Sequence, residues 1–201
     1  MYPMKETMAF YKAHSLSFFV GKMKLSRYYR AMMECRVKKV EEQDIPTIVE
    51  LFDRAKVYFA EKEIPQWKIG GYPEEIDVKV DMNLGYANVL LDQNEIVGYC
   101  AIACMVDPTY QIIEGNWLNE ESYVVMHRTC IADYCKGKGY AGQFVQEAMR
   151  IAKQNGIHNI RCDTHEKNLS MRRMLEKNGF VYCGVIYVED GTPRVAYQLQ
   201  F

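Results

Sequence analysis

No run of apolar residues in this 201-residue chain approaches the roughly 18 needed to span a membrane, and Leu16 to Val20 is too short for the core of a secretory leader. Stable membrane insertion is therefore not expected. A surplus of positive charge is also lacking. The formal net charge of -1 argues against nucleic acid as a partner, because binding that rests on phosphate contacts needs a basic surface. Cys-x-x-Cys pairs are absent too. The seven cysteines, at 35, 100, 104, 130, 135, 162 and 183, form an odd set without zinc-ligand spacing, which fits a reduced cytoplasmic compartment and no metal site. Cys100, Cys104 and Cys130 sit inside apolar runs and read as small hydrophobes. With 49% apolar and 25% charged residues, the chain has the composition of a globular protein and enough length for one domain with a core.

Residues 1–35 differ from the remainder. Lys5, Lys12, Lys22, Lys24, Arg27 and Arg30 face only Glu6 and Glu34, while Leu16, Phe19, Val20, Met23 and Tyr28 recur at roughly helical spacing. A basic, helical appendage is expected there, packing on the domain or a second copy in a homodimer, or lying on a membrane surface. From residue 36 the pattern becomes regular. A strand over 36–41 leads to a helix that starts at Asp44 and Pro46, carries Ile48, Leu51, Phe52, Ala55 and Phe59 on one face and is stopped by Pro65. A second helix over 74–82 and strands over 86–91 and 96–106 follow. After an irregular connection over 108–121 come a strand over 123–132, a helix from about 139 to 154, a strand over 159–163, a helix over 169–177 and strands over 181–188 and 194–201. This order describes an α/β (α+β) domain over residues 36–201 with one mixed sheet.

The informative stretch is Ile131-Ala132-Asp133-Tyr134-Cys135-Lys136-Gly137-Lys138-Gly139-Tyr140-Ala141-Gly142, a strand end, a glycine-rich turn and a helix start. Glycines let the backbone approach a phosphate, and the first-turn N–H groups of a helix stabilise negative charge. Lys136 and Lys138 add positive charge. The P-loop pattern does not fit. The dinucleotide fingerprint matches Gly137 to Gly142 only superficially, because too little chain follows for a doubly wound sheet.

Lys136-Gly137-Lys138-Gly139-Tyr140-Ala141 resembles the acetyl-CoA pyrophosphate loop of the GNAT superfamily, Arg/Gln-x-x-Gly-x-Gly/Ala, with lysine at the first position. The flanking pieces fall in that family's order: Thr129-Cys130-Ile131 where a splayed strand holds the pantetheine arm, and Asn168 to Phe180 as an Asn-containing helix ending in Gly-Phe. The resemblance implies a largely antiparallel sheet of about seven strands with about four helices, acetyl-CoA as cosubstrate, and a small-molecule or peptide amine as acceptor. It implies coenzyme contacts from Thr129, Cys130, Ile131, the loop Lys136, Gly137, Lys138, Gly139, Tyr140, Ala141 and Gly142, and Asn168. Leu175 stands where family members often carry the tyrosine that protonates the thiolate. A non-catalytic acyl-CoA-binding module is the alternative reading.

Transfer to an amine needs a base, and His127 is the first candidate. On a regular strand, residues 125, 127, 129 and 131 share a face, so His127 is expected to look the same way as Ile131, whose strand supplies the oxyanion-stabilising N–H by resemblance. His165 is the second candidate. Trp67 and Tyr72 are expected to wall the amine pocket, and Glu120 and Glu121 read as solvated loop residues able to attract a cation.

Overall fold

The computed structural model describes residues 35–201; the appendage expected over 1–35 otherwise lies outside the described residues. Four α-helices and eight strands are found among those residues. In chain order they are β1 (Cys35–Lys39), α1 (Ile45–Glu61), α2 (Glu75–Asn83), β2 (Ala87–Asp92), β3 (Glu95–Ala103), β4 (Glu114–Gly115), β5 (Val124–Ile131), α3 (Ala141–Gln154), β6 (Asn159–Thr164), α4 (Leu169–Lys177), β7 (Val181–Tyr187) and β8 (Pro193–Gln200). The sheet order is β1-β2-β3-β5-β6-β8-β7-β4. β5 and β6 run parallel, whereas β2–β3, β3–β5, β6–β8, β7–β8 and β4–β7 are antiparallel. The expected fold class is met, with one strand more than anticipated: β4, two residues within the supposedly irregular connection.

Local chemistry explains the element ends. Before α1, the Asp44 carboxylate accepts from the Glu41 N–H at 2.9 Å and from Lys38 Nζ at 2.7 Å, and Pro46 sits in the first turn. Ile45, Ile48, Leu51, Phe52 and Phe59 then bury one face of the helix. The helix ends at Glu61, four residues before the expected stop at Pro65, because Glu63 takes a left-handed φ of 51°. β3 ends at Ala103, short of the expected 106. Cys104 therefore falls just outside the strand and is exposed, against its expected burial, while the other six cysteines are buried.

Helices cover both faces of the sheet. Phe52 of α1 packs edge-on against Tyr99 of β3 at 5.2 Å between ring centroids, which puts α1 on the Tyr99 face. A Cβ placed on Gly98 would meet Ile131 Cδ1 at 2.6 Å and Phe144 Cε2 at 3.2 Å, so α3 and Ile131 share the opposite face. Lower on the Tyr99 side, Tyr110, Trp117, Tyr123, Val125, Cys183, Ile186 and Ala196 form a second apolar cluster roofed by the 104–123 connection. Each such fully buried large side chain contributes on the order of 2 kcal/mol.

Candidate active site

β5 and β6 are paired only at Val124–Ile160 and Val125–Arg161, so the two parallel strands part toward their C-terminal ends and leave a gap between them. The other edge of β5 carries a β-bulge. Its register with β3 runs Gly98–Ile131, Tyr99–Cys130 and then Ala101–His127, so Cys100 alone stands opposite both Arg128 and Thr129. Arg128 takes a φ of 52° to accommodate the extra residue. The bulge resets the alternation: His127 and Cys130 share the Tyr99 face, while Ile131 shares the Gly98 face with Met126. The expectation that His127 and Ile131 look the same way is therefore corrected.

His127 is held by a partner that sequence reading missed. Its Nε2 lies 2.8 Å from Oδ2 of Asp107, which caps the turn Pro108–Tyr110. Asp107 Oδ1 accepts from the Thr109 N–H at 2.8 Å and from Thr109 Oγ1 at 2.6 Å, and the Asp107 N–H donates to Tyr123 Oη at 3.1 Å. Burial pushes the Asp107 carboxyl upward, but the hydrogen bonds from His127 and Thr109 outweigh it and hold the group at about 2. A carboxylate only accepts, so His127 Nε2 carries a proton and the lone pair of neutral imidazole stands on Nδ1. His165 is arranged the other way. It is buried, and its Nδ1 accepts from the Lys167 N–H at 3.2 Å, which leaves the proton on Nε2 and no basic lone pair outward. Burial also lowers its pKa.

The segment between α1 and α2 spans the gap. Gln66 Oε1 accepts from Thr164 Oγ1 at 3.1 Å, from the His165 N–H at 3.3 Å and from Asn168 Nδ2 at 3.1 Å, tying the segment to the end of β6. Tyr72 Oη accepts from Arg128 Nη1 at 2.9 Å, tying it to β5. Arg128 in turn pairs with Asp81 through Nε at 2.8 Å and through Nη2, and Tyr99 donates to the same carboxylate at 2.6 Å. Of the two expected wall residues, Tyr72 is half exposed. Trp67 is 7% exposed and packs edge-on against Phe52 and Phe59, because the turn after α1 folds its ring into the core.

The glycine-rich turn lies beyond β5. Gly137 and Gly139 have φ of 76° and 83°, values that cost a residue with a Cβ about 1 kcal/mol or more. α3 begins at Ala141, two residues later than expected, and no side chain caps its N-terminus. Lys136 contacts Asp133 at 2.5 Å and lies 3.7 Å from the centroid of the Tyr58 ring, so its charge is partly matched by its own neighbours. Tyr140 is buried and donates to Asp92 at 2.7 Å, a role in folding the loop. Asn168 caps α4 through the Met171 N–H at 3.2 Å and donates to Gln66. Thr129 Oγ1 lies 3.2 Å from Cys100 Sγ. Cys130 is buried, which pushes its thiol up to about 12 and removes it as a nucleophile at neutral pH. Glu121 accepts from Asn159 Nδ2 at 3.3 Å.

The two parallel strands thus part beside the uncapped N-terminus of α3, and β5 itself carries the imidazole oriented by Asp107. The model of the acetyltransferase (GNAT) domain matches residues 35–181. A GNAT-family acetyltransferase from Streptococcus agalactiae is 32% identical over 83% of this chain and 95% of its own, with a TM-score of 0.75. The chain belongs to the GNAT family of acetyltransferases. A GNAT-family acetyltransferase from Listeria monocytogenes, 17% identical over 83% of this chain and 95% of its own, has a TM-score of 0.63. The yncA protein of Salmonella typhimurium, solved with its cofactor acetyl-CoA, is 14% identical over 83% of this chain and 94% of its own, with a TM-score of 0.59. No curated protein matches the chain.

Proposed function

We propose that residues 36–201 form an N-acetyltransferase domain that moves the acetyl group of acetyl-CoA directly to an amine, with His127 as general base. The observation that carries this reading is the Asp107–His127 pair on the bulged strand beside the gap. A non-catalytic binding module has no need of an imidazole oriented by a buried carboxylate.

The pyrophosphate is held by N–H groups of the turn from Lys136 to Gly142 and the α3 N-terminus, with Lys138 adding charge, and the pantetheine arm runs along Thr129 to Ile131. The amine, from a small molecule or a peptide, enters from the Tyr99 face past Tyr72. Its nitrogen attacks the thioester carbon while His127 Nδ1 takes its proton. The tetrahedral oxyanion is stabilised by a backbone N–H in the parted stretch of β5, near Ile131, worth a few kcal/mol when already aimed. The C–S bond then breaks and the thiol departs. No covalent enzyme intermediate is used. Calorimetric titration with acetyl-CoA, followed by thiol release across a panel of amines, tests the reading; coenzyme binding with release stimulated by no amine overturns it.

A further inference from the structure

Collapse of the tetrahedral intermediate leaves an electron pair on sulfur, and a positioned acid speeds that departure. Leu175, which stands in α4 where the family resemblance implies such an acid, is fully buried and carries no proton to give. We propose that Tyr72 is this acid: its phenol donates a proton to the departing thiolate. The proposal rests on the acetyl-transfer reading above.

Three observations point to Tyr72. First, its segment arches over the gap, anchored to β6 by the three hydrogen bonds to Gln66 Oε1 and to β5 by the bond from Arg128 Nη1 to the phenol at 2.9 Å. The phenol is thereby fixed beside the parted stretch of β5, on the face that also carries His127. Second, guanidinium only donates, so in this contact Tyr72 Oη is the acceptor and its own proton remains unspent; among the described residues it donates to no side chain. Third, the neighbouring phenols are committed. Tyr99 donates to Asp81 at 2.6 Å and Tyr110 to Asp163 at 2.7 Å, and both are buried. Tyr123 Oη accepts from the Asp107 N–H at 3.1 Å, and its ring is buried with Tyr110 and Trp117 in the second apolar cluster.

The proton count closes. The C–N bond forms as the amine proton passes to His127 Nδ1; the C–S bond breaks, its electron pair goes to sulfur, and the Tyr72 proton follows. Solvent then removes the proton from His127 and restores the phenol. The charges facing the phenol are Arg128, bonded to it, with Asp77 and Asp163 nearby and Asp81 behind Arg128. Desolvation of the phenol by the groups packed around it raises the Tyr72 pKa and Arg128 pulls it back only in part, so the phenol stays protonated at neutral pH.

The test is a set of pH–kcat profiles for amine-dependent thiol release by wild type, Tyr72→Phe and Tyr72→3-fluorotyrosine, with acetyl-CoA affinity measured alongside. Tyr72→Phe should lower kcat by about tenfold or more. KM for the amine and acetyl-CoA affinity should stay within about twofold, and the alkaline fall in rate, where the phenol ionises, should vanish. In the fluorinated protein, whose phenol is more acidic and keeps every contact, that fall should move to lower pH. An undiminished Tyr72→Phe rate, or an alkaline limb that fluorination leaves in place, overturns the assignment of Tyr72 alone. Wild type that binds acetyl-CoA but acetylates no amine overturns the transfer reading and this proposal with it. Should Tyr72→Phe fail to fold, the fluorinated protein decides the question.

Discussion

Asp107 Oδ2 lies 2.8 Å from His127 Nε2, with the carboxylate itself fixed by Thr109 and by the tie from its own N–H to Tyr123. The pair sets the tautomer and the direction of the imidazole. Asp107→Asn keeps the shape and permits the amide N–H to face the ring, which places the lone pair on the wrong nitrogen. Turnover with a competent amine should fall by about 100-fold, the range for loss of a positioned base, with acetyl-CoA affinity unchanged by calorimetry. Equal turnover would mean that the carboxylate does not orient the base.

The same carboxylate makes stability depend on acid. Its folded pKa of about 2 lies below the ordinary 3.8, so its contribution is present above about pH 4 and is lost as pH falls through about 2. The difference corresponds to on the order of 2 kcal/mol. Denaturant midpoints of wild type and Asp107→Asn should converge between pH 4 and pH 2, and parallel curves over that window would contradict the pairing.

Asp81 is 1% exposed and its carboxylate takes two donors from Arg128 and one from Tyr99. Asp81→Ala strands the guanidinium without its anion at the strained bulge. A loss of about 3 kcal/mol or more is expected, read as a lower midpoint in urea. A double variant that also replaces Arg128 with Met should recover part of it.

The turn at Gly139 is the element that the sequence made most legible. Its glycines are a local necessity, since a φ of 83° followed directly by a helix start can be inferred from neighbours in the chain. Gly139→Val should abolish acetyl-CoA binding while circular dichroism stays that of the wild type. Unchanged affinity in a folded Gly139→Val protein would remove the turn from the coenzyme site.

Element order was legible for the same reason: the apolar periodicities of α1 and α3 and the alternations of the strands are local signals. What sequence reading missed depends on pairing across the chain. The face of His127 is set by the bulge at Arg128, a property of the register between β5 and β3. Asp107 could be recognised as a turn start from Asp107-Pro108-Thr109, yet nothing local told that this turn folds back onto a strand twenty residues later. Gln66 carried no signal at all, because its three partners lie about a hundred residues away. Trp67 looked like a pocket wall beside Tyr72, yet these two positions of one connection differ: the Trp67 ring packs in the core and the Tyr72 phenol bonds Arg128 of β5.

Whether His127 takes the amine proton is decided by amine-dependent release of the coenzyme thiol by His127→Gln, compared with wild type at saturating acetyl-CoA. Turnover should fall by about 100-fold or more at neutral pH, with acetyl-CoA affinity preserved, as expected if the loop before α3 holds the phosphates. Turnover and pH profile equal to those of wild type would contradict that role and remove His127 from the reaction.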